Sequence, residues 1–96
     1  MGKLNAVLVG LITSTQNEER TKEYLDELAF LADTNNTNCV KRFVQRLDYP
    51  NTATYVGEGK LQEINQYIQQ YADTDDFIDV VIFDDELSPR QLRNIE

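Results

Sequence analysis

Thr54-Tyr55-Val56-Gly57-Glu58-Gly59-Lys60 joins a run with strand character to a run with helical periodicity. Two glycines flank a glutamate, and a lysine stands where the helical pattern begins. A strand, a glycine-rich turn and a helix, in that order, form the junction at which α/β proteins usually present their chemistry. Glycine lets the backbone come close to a ligand, and the first unpaired N–H groups of a helix favour anions. Taken alone the motif is weak. A Walker A loop has four residues between its glycines, and a dinucleotide fingerprint has a third glycine.

On the C-terminal side of the motif the pattern is helical. Leu61, Ile64, Ile68, Tyr71 and Ala72 form one apolar stripe at helical spacing, which predicts a helix over 60–72. Asp73 to Asp76 is a polar break, and the β-branched run over 77–83 predicts a short buried strand. Ser88, Pro89 and Gln91 then suit the N-cap, the first helical position and the capping-box partner of another helix, with Leu92 and Ile95 opening its apolar face.

On the N-terminal side the signals are mixed. Val40, Phe43, Val44 and Leu47 fit a helix as well as a strand. The β-branched and aromatic content and the turn-forming flanks decide for a strand over 39–48. The connection from there to the next helix runs to about ten residues, a length often functional or mobile. Nearer the start, 6–12 is apolar apart from Gly10 and suits a strand buried on both faces of a parallel sheet. Thr15-Gln16-Asn17-Glu18 matches a capping box. Leu25, Leu28, Ala29 and Ala32 continue at helical spacing, with Tyr24 and Leu31 at the stripe's edge, and the helix should stop near Asp33 before the turn formers of 34–38.

The order is β-α-β-α-β-α, which predicts a small α/β domain of two or three layers on a parallel sheet with right-handed crossovers. The short last helix buries little by itself, so the chain is expected to be truncated before a further strand. An open sheet edge would then favour a dimer.

Composition bounds the function. The 96 residues suffice for one core, and 41% hydrophobic with 27% charged is ordinary for a globular domain. A net charge of −8 argues against nucleic-acid binding by bulk charge while leaving room for a local basic face. With no histidine and one cysteine, Cys39, a zinc site is not expected. The single cysteine fits a reducing cytoplasm, and no apolar run reaches membrane-span length.

Tyr55-Val56-Gly57-Glu58-Gly59-Lys60, Val81-Ile82-Phe83-Asp84 and the closing run from Leu87-Ser88-Pro89-Arg90 to Glu96 together resemble the N-terminal domain of the HflX family of GTP-binding proteins. The resemblance covers nearly the whole chain. It implies a cytoplasmic GTPase that associates with the large ribosomal subunit and assists ribosome splitting or rescue. It also implies that a helical hairpin and a GTPase domain lie beyond this unit in the polypeptide. GTP and Mg²⁺ would be held by that GTPase domain. This chain has no Gly-x-x-x-x-Gly-Lys-Ser/Thr loop and no Asn-Lys-x-Asp motif, so no catalytic residue and no cofactor is expected within it.

Several residues are candidates for a site, most of them with two readings. Gly57, Gly59 and Lys60 either hold an rRNA or nucleotide phosphate on the helix N-terminus or simply permit a turn. Arg90 and Arg93 either clamp rRNA phosphates together with Lys60 or form a solvated helix face. Tyr55 either stacks on a base or packs its ring under the loop. Arg42 and Arg46 should share one face of their strand, with Lys41 on the other, chiefly as charges guarding a sheet edge and secondarily as rRNA contacts. Asp84, Asp85 and Glu86 read as a polar strand end rather than a metal site. The expected partners are rRNA of the large subunit and the GTPase domain in cis. Rival readings are a nucleotide-binding module at 57–60 and a module that restrains the GTPase domain.

Overall fold

The strand β1 (Leu4–Ile12) is the axis of the domain: every residue from Ala6 to Ile12 is buried, which only a central strand covered on both faces requires. The computed structural model describes residues 3–95. After β1 come α1 (Glu18–Thr34), β2 (Thr37–Arg46), α2 (Glu58–Tyr71), β3 (Val80–Phe83) and α3 (Pro89–Ile95). The three strands are parallel in the order β2-β1-β3, so the expected β-α-β-α-β-α architecture is the one observed.

The alternation of β1 sorts the layers. Val7, Val9 and Leu11 face a core completed by Phe43, Tyr55, Val56 and Ile64, against which Leu61, Tyr67 and Ile68 of α2 and Ile95 of α3 pack. Gly10 points the other way, into α1. A Cβ there would stand 3.0 Å from both Leu25 Cδ1 and Thr21 Cγ2, so the missing side chain is what lets α1 lie this close. Helices on both faces make three layers.

Several boundaries differ from those the sequence predicts, β2 by two residues at each end, and two of the differences have local reasons. The N-cap of α1 is Asn17, whose side chain accepts from Arg20 N–H at 2.8 Å, not Thr15. Residues 13–16 are occupied in a tight loop in which Thr13 and Gln16 exchange main-chain hydrogen bonds and Thr15 N–H turns back to Thr13 Oγ1. Strand β3 begins at Val80 rather than at 77, because the Asp79 carboxylate takes the Asn5 N–H at 2.7 Å in place of a main-chain carbonyl. The strand reading of the ambiguous segment holds, over Thr37–Arg46. Its register against β1 shifts between Ala6 and Val7, which leaves Val40 without a partner.

Among the described residues, no strand pairs with the outer side of β2 or of β3. β2 carries Lys41, Arg42 and Arg46, and β3 presents Val80, Val81, Ile82 and Phe83. No helix among the described residues is long and apolar enough to cross a membrane.

Candidate functional site

The chain leaves β1 towards β2 on one side and later crosses back to β3 on the other. The carboxyl ends of β1 and β3 therefore flank a topological switch point, the crevice where open α/β sheets bind ligands. In this protein that crevice is filled by its own side chains. Asp84, the residue after β3, donates its N–H to Val9 O at 2.9 Å and aims its carboxylate at the end of β1. Its Oδ2 accepts from Leu11 N–H at 3.1 Å and from Gln16 Nε2 at 2.8 Å, and its Oδ1 accepts from the Tyr55 hydroxyl at 2.5 Å. Gln16 also donates to Leu11 O at 2.8 Å, and so does the buried Thr21 hydroxyl at 2.9 Å.

The loop before α2 delivers Tyr55 to this point. Asn51 and Tyr55 exchange main-chain hydrogen bonds of 2.9 and 2.8 Å, and the Asn51 side chain accepts from Ala53 N–H and Thr54 N–H. That closed five-residue ring makes the long connection an ordered one. It holds Tyr55 at φ 68°, a left-handed conformation that costs a bulky residue on the order of 1–3 kcal/mol. The tyrosine is 4% exposed, and its ring meets Phe83 edge to face at 5.5 Å. Burial, with the hydrogen bond to Asp84 adding to it, pushes the Tyr55 hydroxyl far above the ordinary tyrosine range. The ring therefore packs under the loop and offers no open face to a base.

The glycine-rich turn is built as expected, and two of its donors, the Gly57 N–H and the Lys60 ammonium, are engaged. Gly57 is the N-cap of α2 and has no capping side chain. Its N–H donates to Gln45 Oε1 at 2.8 Å, and a Cβ would come within 3.0 Å of Gln45 Nε2. Gly59 faces open space in the first helical turn. Lys60 Nζ pairs with Glu63 at 3.0 Å. Sequence reasoning misses Gln45, since nothing in its spacing links it to Gly57.

The capping box of α3 is present in full: Ser88 Oγ accepts from Gln91 N–H at 3.2 Å and Gln91 Oε1 from Ser88 N–H at 2.8 Å. Gln91 Nε2 then donates to Asn51 O at 2.6 Å, and Asn94 Nδ2 to Ala53 O at 2.9 Å, seating α3 on the 51–55 loop. Arg90 and Arg93 are exposed, one turn apart, and form no ion pair among the described residues. Arg42 and Arg46 lie on the α1 side of β2, where they meet Asp26 at 2.7 Å and Glu18 at 3.8 Å, while Lys41 lies over the Phe43 ring on the other face. Arg42, then Lys22, holds the Asp26 carboxyl below the usual carboxylate range. Cys39 is only partly buried, and that burial pushes its thiol up.

Beside the switch point, a cavity of about 180 Å³ is lined by Tyr24, Glu27, Leu28, Leu31 and Asp84. A small-molecule site usually encloses roughly 300 Å³ or more. Together these features define a class: a doubly wound α/β domain whose switch-point crevice is closed by its own hydrogen bonds.

The chain belongs to the GTP-binding GTPase N-terminal family, whose pattern matches residues 22–96. It is similar to the GTPase HflX of Flavobacterium psychrophilum, 46% identical over 89 residues, which cover 93% of this chain and 20% of that protein. Proteins of the same name from Lacrimispora saccharolytica (40% over 83 residues, 86% of this chain and 18% of theirs) and Caldanaerobacter subterraneus (34% over 94 residues, 98% and 20%) are also similar. The chain thus spans about a fifth of the length of these relatives.

Proposed function

We propose that this domain is the non-catalytic N-terminal unit of an HflX-type GTPase and docks the large ribosomal subunit through rRNA phosphates at the carboxyl edge of its sheet. The observation that carries the reading is the pair Arg90 and Arg93. Among the described residues, Lys3, Lys22, Arg42, Arg46 and Lys60 are each held by a carboxylate and Arg20 and Lys41 lie over the Tyr24 and Phe43 rings, whereas these two arginines have neither kind of partner. In a chain of net charge −8, unneutralised guanidinium groups on one short helix are the cations most available to a polyanion. Lys60 lies at the start of α2 on the same edge and would join them by exchanging Glu63 for a phosphate. GTP, Mg²⁺ and hydrolysis belong, on this reading, to the GTPase domain of the same cytoplasmic polypeptide, and ribosome splitting or rescue to the whole protein.

The nucleotide-binding reading of the turn is less well supported, since the Gly57 N–H is spent on Gln45. A contact with the GTPase domain in cis is favoured by a different feature, the apolar stripe of α1 in which Tyr24 and Leu31 are exposed beside the half-buried Leu28.

Binding of this chain to purified large subunits across a salt titration tests the docking. Each phosphate contact contributes roughly 0.7–0.9 to the slope of log K against log salt. Arg90→Ala and Arg93→Ala together should lower the slope by about 1.5 and weaken binding, and Lys60→Ala should do so by less. Unchanged binding in the double variant would overturn the reading. No binding at low salt would assign the affinity to other parts of the parent.

A further inference from the structure

We infer that Tyr55 and Asp84 are positioning residues for α3: their contact is a latch that sets where the last helix, with Arg90 and Arg93, sits on the domain. Among the described residues, the side-chain hydrogen bonds that α3 makes beyond its own cap run to the 51–55 loop, from Gln91 to Asn51 O and from Asn94 to Ala53 O. Its apolar attachment is Ile95, packed at the edge of the core. The helix therefore rides on the loop. The loop in turn is tied down at its last residue, where the Tyr55 hydroxyl donates to Asp84 and the ring stands against Phe83.

The left-handed backbone of Tyr55 sharpens this dependence. A bulky side chain stays in that conformation only while its surroundings hold it there. Without the hydroxyl contact the residue can relax towards an extended backbone. The Asn51–Tyr55 main-chain pair then opens, and the two carbonyls that receive Gln91 and Asn94 move with it. Asp84 has a share in both ends of the chain of contacts. It anchors Tyr55, and it begins the short connection that leads through Ser88 into α3. The latch thus links the switch-point crevice to the helix through five residues of loop.

Only the ribosomal consequence rests on the docking reading; the mechanical one does not. The test is residue-resolved amide hydrogen exchange on the whole chain for the parent, Tyr55→Phe, and Gln91→Ala with Asn94→Ala. Tyr55→Phe keeps the ring and removes one donor, so exchange protection at 93–95 should fall about tenfold while β1 amides keep theirs within about twofold. Gln91→Ala/Asn94→Ala should loosen the same amides by a similar factor. Adding Tyr55→Phe to that pair should loosen them little further, because both act on one seat. Equal loss of protection in α3 and β1, no loss in either, fully additive effects, or an α3 without protection in the parent would each overturn the latch. If Tyr55→Phe frees α3 while Arg90→Ala/Arg93→Ala leaves subunit binding untouched, the latch stands and the docking reading falls.

Discussion

Asp84→Ala should be among the more damaging single changes in this domain, and its cost can be worked from the contacts. The carboxylate accepts from a strand N–H, an amide side chain and a hydroxyl. Removing it leaves the Leu11 N–H facing a void at the end of a buried strand and the Tyr55 hydroxyl without its acceptor, while Gln16 loses one acceptor and keeps Leu11 O. A hydrogen bond to a charged group contributes about 1.5–3 kcal/mol when buried. Asp84 is only part-buried, and water can reach some of the donors, so the three together come to about 3 kcal/mol rather than the sum of maxima. A 96-residue domain has roughly 5–14 kcal/mol in all. At this size the loss lowers Tm by about 12–24 °C. Asp84→Asn separates hydrogen bonding from charge. Its amide oxygen can still serve Leu11 and Gln16, and the Tyr55 hydroxyl can rotate to accept from the amide nitrogen, so the cost should be about 1 kcal/mol. Urea unfolding followed by circular dichroism gives both numbers. A loss below about 1 kcal/mol for Asp84→Ala, or equal losses for the two variants, would refute the assignment of Asp84 as a hydrogen-bond hub.

Other expectations are simpler. Gly10→Ala forces a methyl against Leu25 and Thr21 and should destabilise by about 1–3 kcal/mol in the same urea assay, with Gly59→Ala, which meets nothing, neutral or slightly stabilising. Arg42→Ala should raise the Asp26 titration midpoint, read by carboxyl NMR shifts, because Arg42 is the main cause of its depression. Since the folded value lies below the unfolded one, the stability Asp26 lends is present above the ordinary carboxylate pKa and is lost as pH falls through the folded value. Tyr55 has the opposite sign: its folded value lies above the unfolded one, so its contribution is full below about pH 10 and is lost as pH rises towards the folded value. Phenolate absorbance should therefore show one tyrosine that ionises only when the domain unfolds, and Tyr55→Phe should abolish that step.

The elements legible in the sequence are those whose signals are local. The apolar run of β1, the stripe of α2 and the cap of α3 each lie within a few residues, and each forms as expected. Asn17 displaces Thr15 because two good caps stand two residues apart, and the need to turn the chain after β1 decides between them. Asp79 shortens β3 through a side chain that mimics a ladder carbonyl, which no propensity records. The site is less legible. Gly57 and Lys60 announce a helix start, but the groups that engage them, Gln45 and Glu63, are ordinary polar residues in sequence. The hub joins Tyr55, Gln16 and Leu11 to Asp84 across separations of 29 to 73 residues, and only the strand order brings them together. In sequence Tyr55 is an aromatic beside a glycine-rich turn, and its burial comes from a loop closed by Asn51 rather than from its neighbours in the motif.

The two borders of the sheet differ in what they admit. An incoming strand at β2 would meet two arginines already committed to α1, a lysine beside them and an unpaired Val40 that breaks the hydrogen-bonding rhythm. At β3 it would meet four uncharged residues, with Val80 37% exposed and, among the described residues, no strand paired on that side. The two borders thus differ in charge, and a strand added next to Asp84 and α3, on the side where the arginines are displayed, would have fewer charges to desolvate than one added at β2.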